Sequence, residues 1–300
     1  MYFNLDQKLA LVGAATPLRL LHRALSASLG RLHLALVLHR IRPPSPGDWL
    51  PGMAMSAEDL DAVVELLLEV RRPRSERWLS VTFDDGYEDA AAYVESRASR
   101  FPEVEFILFV CPEKAETQAG FRWDLAELSL REGMDRKRAA ELLTAPCDIE
   151  SENARQDLRR VAAHPDFRLA GVSRLRALAT LPNVSLGNHS NCHFEMNKLD
   201  PAQAELELTR SLETFQRLFG EQRHFAFPFG HRYFDDHHVL RLRGQGDFVI
   251  WTTGHRPYRP EERASRELVP RMDLDGQLGV RGLAAAIAGR CALMPLLHRR

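Results

Sequence analysis

Leu79–Asp89 reads LSVTFDDGYED: an apolar run climbs into two adjacent aspartates and then meets a glycine. Ser80–Phe83 has the β-branched and aromatic content of a strand, and Gly86 is a natural breaker just past its end. Neighbouring strand residues point to opposite faces, so Asp84 and Asp85 can do two different jobs from one strand tip. Two carboxylates that close repel each other unless positive charge lies nearby. The rest of the chain has to supply that charge.

Outward from this tip, strands and helices alternate. Leu32–His39 (LHLALVLH) predicts a buried strand, followed by a loop carrying Pro43, Pro44, Pro46 and Pro51. Ser56–Val70 predicts a helix, with a serine cap and acids in its first turn. Trp78–Phe83 is the next strand, Tyr87–Arg100 a helix, and Val104–Val110 (VEFILFV) another buried strand. Trp123–Leu181 turns helical and charged, and reads as an insertion between core strands. Strand patterns return at Val184–Leu186, Phe225–Phe227 and Phe248–Trp251, with a helix over Pro201–Phe219. This alternation predicts an α/β fold with a parallel sheet, open or closed into a barrel. Chemistry in such folds sits at the C-terminal strand ends, which singles out His39, Asp84–Asp85, His189–His193 and Pro228–Gly230.

Composition sets the outer bounds. The chain has 300 residues, 45% hydrophobic and 27% charged, enough for a large core in one or two domains. A net charge of −1 gives no global electrostatic reason to expect nucleic acid. Cys111, Cys147, Cys192 and Cys291 form no CxxC pair, which suits a reducing compartment better than a disulfide framework. No secretory signal is read at the N-terminus, and no run reaches the roughly 18 apolar residues of a membrane span. A cytoplasmic location is therefore expected. Pro17–Arg31 and Gly282–Arg300 are apolar segments laced with Arg and His, suited to a membrane surface or to packing on the domain. The expected organisation is an amphipathic helical segment over 1–31, a barrel over 32–281 with its insertion near 123–181, and a basic tail over 282–300.

Gly187–Phe194 (GNHSNCHF) places His189 and His193 four apart, a spacing that on one helical turn puts both imidazoles on the same face. Two histidines and a carboxylate are a common divalent-metal set with positions left open. A metal ion would then be the charge that makes the paired aspartates tolerable. Ser190 stands where a zincin helix has Glu, so this is not that motif. Cys192 is a further ligand option, a buried free thiol being the commoner role. Phe225–Gly230 (FAFPFG) is a Pro-aromatic-Gly turn, which either aims a backbone N–H at a site or simply turns the chain.

Taken in order, these clusters resemble the polysaccharide deacetylase family, the carbohydrate esterases with a NodB homology domain. Thr82–Gly86 matches T-F-D-D-G, His189–His193 matches H-[ST]-x-x-H, and Pro228–Gly230 matches the Pro-aromatic-Gly turn. The resemblance runs from about Leu32 to Met272 and implies a distorted (β/α) barrel of about seven parallel strands with a helical insertion. It implies hydrolysis of an N-acetyl group on an amino sugar in a glycan or glycan precursor. Asp84 would be the general base, and Asp85, His189 and His193 would hold one divalent ion, zinc before cobalt, manganese, nickel or iron. Ser190 would steady the histidine loop. The Phe229 N–H would face the oxyanion, with Phe where the family usually has Tyr.

Two family features are displaced. The arginine two residues before the motif proline is Ala226 here, and the C-terminal Leu-x-His has no convincing copy, since LLHRR at Leu296–Arg300 ends a helical tail. A related branch carries that histidine on its first strand, which makes His39 in LVLHRI the candidate general acid. The same branch often has an arginine after a late strand, where Arg271 in VPRMD would orient the catalytic aspartate. Trp123 and Asp124 suit either a sugar groove or ordinary packing. The implied partner is a carbohydrate, lipid-linked or nucleotide-linked, with peripheral contact to the inner membrane face through the basic ends. An O-deacetylase or deformylase would use the same site. The alternative from another class is an inactive carbohydrate-binding module, against which stands the presence of every proposed ligand and the base.

Overall fold

Apolar runs without polar alternation belong in a sheet covered on both faces. Leu34–Leu38 (β1) and Leu79–Phe83 (β2) are such runs, buried at every position. The computed structural model describes residues 18–29, 32–45, 48, 51–71, 77–144, 152–230, 233–254, 256–264 and 268–297. In it these strands join Val104–Val110 (β3), Val184–Asn188 (β4), His224–Ala226 (β5), Val249–Thr253 (β6) and Val269–Asp273 (β7) in a closed parallel barrel. The order around the barrel is the order in the chain, and β7 closes on β1 through Leu36–Met272 and Val37–Asp273. The distortion lies at one border. β4 and β5 share a single register pair, Asn188–Phe225, whereas β1–β2 and β2–β3 each pair over five residues.

The barrel interior is filled by Ala35, Ile107, Phe109, Ala226, Trp251 and Val269. Gly187 makes room for this packing, because a Cβ there would lie 2.4 Å from the Phe109 ring. The outer faces of β1–β3 bury Leu36, Val81, Phe83, Phe106 and Leu108 against the helices. Helix Ala57–Val70 begins at Ser56, whose hydroxyl accepts the Asp59 N–H at 3.1 Å, a cap worth about 1 kcal/mol. Helix Pro201–Phe219 has the bounds its sequence predicts, with Asp200 capping it.

Among the described residues the insertion carries helices Arg122–Arg131, Arg136–Thr144, Glu152–Ala163 and Val172–Leu178, with a short 3-10 turn at Pro165–Phe167. It leans on the loop after β2, where Glu88 N–H donates to Arg168 O and Ala170 N–H donates to Gly86 O, both at 2.9 Å. Strand β7 differs from the sequence reading, which put Arg271 after a strand. Pro270 argues against a strand, yet Val269–Asp273 is one and Arg271 lies within it.

Helices Leu18–Leu29 and Gly279–Leu297 pack on each other and on Ala57–Val70. Leu25, Leu29, Leu283, Ile287 and Cys291 join the main core, and Gly282–Ala288 is buried throughout. Residues 1–17 and 30–31 of the expected N-terminal segment and 298–300 of the tail, with Cys147, lie outside the described residues. Among the described residues no helix is long and apolar enough to cross a membrane.

Candidate active site

Strand β2 ends at Phe83, and the Asp84 N–H donates to Leu38 O at 2.9 Å, so the tips of β1 and β2 meet. Asp84 continues the inward face of Ser80 and Thr82. Asp85 breaks strand alternation: at φ 72° the chain turns left-handed and brings the second carboxylate round to the same site. Gly86 follows at φ 76°, where a Cβ would lie 3.0 Å from Val110 Cγ1. The expectation of opposite faces therefore fails at Asp85. His189 Nε2 is 3.8 Å from Asp84 Oδ2 and 3.7 Å from Asp85 Oδ1.

The two histidines follow β4 in a loop, not on a helical turn. Ser190 and His193 lie at φ 63° and 68°. With Asp85 and Phe229 they are four of the five described non-glycine residues at positive φ. Such positions cost about 1–3 kcal/mol each and persist where surrounding structure over-determines them. Their concentration makes this end of the barrel the candidate functional one.

Different devices hold the two rings. A carbonyl can only accept, so His189 Nδ1 donates to Ala226 O at 2.7 Å, which leaves the Nε2 lone pair facing the carboxylates. Burial pushes this imidazole down to about 4, so it is neutral at neutral pH. His193 Nδ1 is buried without a hydrogen-bond partner. Its ring is enclosed instead by Trp123 and Phe229, both 4.7 Å away, and by Phe121 at 5.6 Å.

His193 Nε2 lies 3.1 Å from Asp85 Oδ1, and ligand atoms of Asp85, His189 and His193 all fall within 4.8 Å of one another. Asp85 Oδ1 is itself buried with no aligned donor. A neutral imidazole with its lone pair turned inward, a second imidazole and an unpartnered carboxylate oxygen suit a divalent cation of borderline softness.

Arg271 reaches Asp84 from β7, with Nη1 donating to Oδ1 at 2.5 Å and Nη2 to Oδ2 at 2.9 Å. Nη1 also donates to Thr82 Oγ1 at 3.1 Å. Burial alone would raise the Asp84 carboxyl, but the Arg271 guanidinium outweighs it and holds the group well below the usual carboxylate range. Ala226 has no side chain to do this and supplies its carbonyl to His189 instead.

His39 follows β1 and lines the same cavity, its Nδ1 buried and unpartnered. Phe229 is half exposed at φ 61° in the turn after β5, and Gly230 follows at φ 82°, where a Cβ would lie 1.9 Å from Thr253 Oγ1. Cys192 is not among the converging donors: its Sγ donates to Glu113 Oε2 at 3.0 Å, and burial pushes the thiol up. Trp123 lines the cavity but Asp124 does not. Asp124 lies beneath, accepting the Tyr87 hydroxyl at 2.9 Å, while Trp123 Nε1 donates to that hydroxyl at 2.8 Å. Burial pushes Asp124 up to about 7 despite the nearby Arg40. Tyr87 escaped the sequence reading, although it directly follows the Asp-Asp-Gly turn.

The cavity above the cluster measures about 820 Å³, and Phe121, Leu143, Leu158, Phe194 and Leu199 give it an apolar wall. A second grouping, Asp235, His237 and His238, is a poorer cation site. His238 Nδ1 is committed to the Asp235 N–H at 3.1 Å, and a helix N-terminus carries partial positive charge.

A parallel barrel with carboxylates and histidines gathered at its C-terminal mouth defines a barrel enzyme. Residues 71–244, more than half of the chain, match the family model described as polysaccharide deacetylase, and the chain belongs to that family. Its fold is shared by a polysaccharide deacetylase from Bacillus cereus, 16% identical at a TM-score of 0.54, over 85% of this chain and 68% of that one. IcaB from Ammonifex degensii is 16% identical at a TM-score of 0.52, over 86% and 98%. A de-N-acetylase from Aggregatibacter actinomycetemcomitans is 12% identical at 0.53, over 85% and 99%. No curated protein matches the chain.

Proposed function

We propose that this chain hydrolyses the N-acetyl group of an amino sugar in a glycan or glycan precursor, using one divalent ion, zinc first. The observation that carries the reading is the convergence of Asp85, His189 and His193 beside the Arg271-bound Asp84. An ion held by those three residues supplies Lewis acidity toward water and the amide carbonyl.

The protein groups supply the rest. Asp84, kept ionised and oriented by Arg271, takes the proton of the attacking water. The Phe229 N–H, in the turn facing the site, stabilises charge that develops on the carbonyl oxygen. His39 gives a proton to the departing nitrogen, since an amine leaves poorly as an anion. Trp123, locked by Tyr87, offers an aromatic wall for a sugar ring. The apolar wall at Leu143, Leu158 and Leu199 favours a lipid-linked precursor over a nucleotide-linked one, handled at the inner face of the membrane.

The test is metal content of wild-type and Asp85→Ala protein, beside amine release from N-acetylglucosamine oligomers. About one ion per chain that is lost in the variant is the expected result, and no uptake of zinc or cobalt would overturn the reading. Asp84→Asn should keep the ion and lose on the order of 10²–10⁴-fold in kcat. An Asp84→Asn protein with wild-type turnover would remove Asp84 as the base. A silent His39→Ala would point to an ester substrate, whose alkoxide needs less help to leave.

A further inference from the structure

The loop from His189 to His193 carries both candidate ligand histidines, contains two left-handed non-glycine residues and has no regular secondary structure. Backbone of that kind needs something to hold it. Glu207, midway along helix Pro201–Phe219, is 5% exposed and lies beneath the loop. Its Oε1 accepts the Cys192 N–H at 2.7 Å. The Ser190 hydroxyl and the Asn191 N–H lie close enough to the same carboxylate to favour its charged form. The Ser190 oxygen in turn accepts the His193 N–H at 3.1 Å.

Successive donors curled round one anion form a nest. Here the acceptor is a side-chain carboxyl of the protein itself, and the Ser190 oxygen beside it holds the N–H of a candidate metal ligand, His193. Burying a carboxylate is unfavourable unless it is well bonded. Helix packing alone gives no reason to place one at this position, between Leu206 and Leu208.

We infer that Glu207 is a positioning residue for the metal centre: its carboxylate fixes the 189–193 loop so that both imidazoles face Asp85. The inference rests on the metal-dependent reading above. Glu207 touches neither ion nor substrate, so its effect appears first in metal binding.

The experiment is titration of cobalt(II) into full-length wild-type, Glu207→Ala and Glu207→Gln protein, following the dissociation constant and the visible absorption bands, with thermal melting of each metal-free protein alongside. Glu207→Ala should bind cobalt on the order of 10–100-fold more weakly, with altered bands. Glu207→Gln should fall between the two, because its amide oxygen still accepts the Cys192 N–H. Should Glu207→Ala fail to fold, Glu207→Gln alone decides, and it must bind more weakly than wild type. Variants with wild-type affinity and bands overturn the inference and leave the metal reading standing. Wild-type protein that takes up neither cobalt nor zinc overturns both.

Discussion

The barrel holds two arginine–carboxylate pairs, a buried one at its C-terminal mouth and a partly exposed one at the opposite end, built from nearly the same parts. At the C-terminal mouth Arg271 grips Asp84 with both terminal nitrogens, Thr82 adds a hydroxyl, and the guanidinium lies 4.9 Å from the Phe109 ring centre. At the opposite end Arg263 grips Glu105 at 2.8 and 2.9 Å, Ser80 adds a hydroxyl at 2.7 Å, and the guanidinium lies 5.1 Å from the Trp251 ring centre. Ser80, Thr82 and Asp84 are alternate residues of one strand edge, so both pairs hang from the same inward face. What differs is what else faces the carboxylate. Glu105 and Arg263 stay partly open to solvent at the floor, whereas Asp84 faces His189 and a large cavity. One pair sits at the barrel floor and the other lines the cavity at its mouth.

Removing each arginine breaks the comparison most directly. Arg271→Met leaves Asp84 buried and unpaired, and should cost about 3–5 kcal/mol of stability while activity falls to background. Arg263→Met should cost less in urea unfolding, because Glu105 and Arg263 are partly exposed and solvent takes up part of the lost pairing. Its kcat per folded molecule should stay near wild type. A matching loss of kcat in Arg263→Met would show that the floor pair also serves the site.

pH sharpens the contrast from the floor side. His224 accepts the Trp251 Nε1–H at 3.2 Å beside Glu105, and burial pushes its imidazole from 6.5 down to about 4. As pH falls below about 6.5 the unfolded chain binds a proton here that the folded chain refuses until about 4. Stability is therefore full above pH 6.5 and declines between 6.5 and 4, by up to about 3 kcal/mol. His224→Gln should flatten that slope in urea midpoints measured across the window. Glu105 acts lower: burial would raise it, but Arg263 holds it at about 2, so its contribution is present above 4.5 and fades as pH falls toward 2. The smallest effect belongs to the mouth. Trp123→Phe removes the N–H bonded to Tyr87 and should cost about 1 kcal/mol, with KM rising more than kcat falls.

Much of this was legible in the sequence because it is local. The buried runs at Leu34–Leu38 and Val104–Val110, the cap at Ser56 and the aspartates at a strand tip each announce themselves within a few residues. What depends on long-range packing did not. Glu105 and Arg263 are 158 residues apart, and nothing near either predicts the other. Pro270 disguised the strand that delivers Arg271. Glu207 is one more acid in an amphipathic helix until the loop above it is in place. The histidine spacing was read through helix geometry, yet positive φ at Ser190 and His193 brings the rings together by another route.

The weakly paired border between β4 and β5 gives one contact a double meaning. The histidine loop leaves one lip of that gap and the Pro228–Gly230 turn leaves the other. The bond from His189 Nδ1 to Ala226 O crosses between them. The same imidazole that turns its free nitrogen toward the carboxylates is thus a stitch across the one seam the backbone barely sews. Loosening the seam would unhook a prospective ligand, and clamping that ligand would draw the barrel shut.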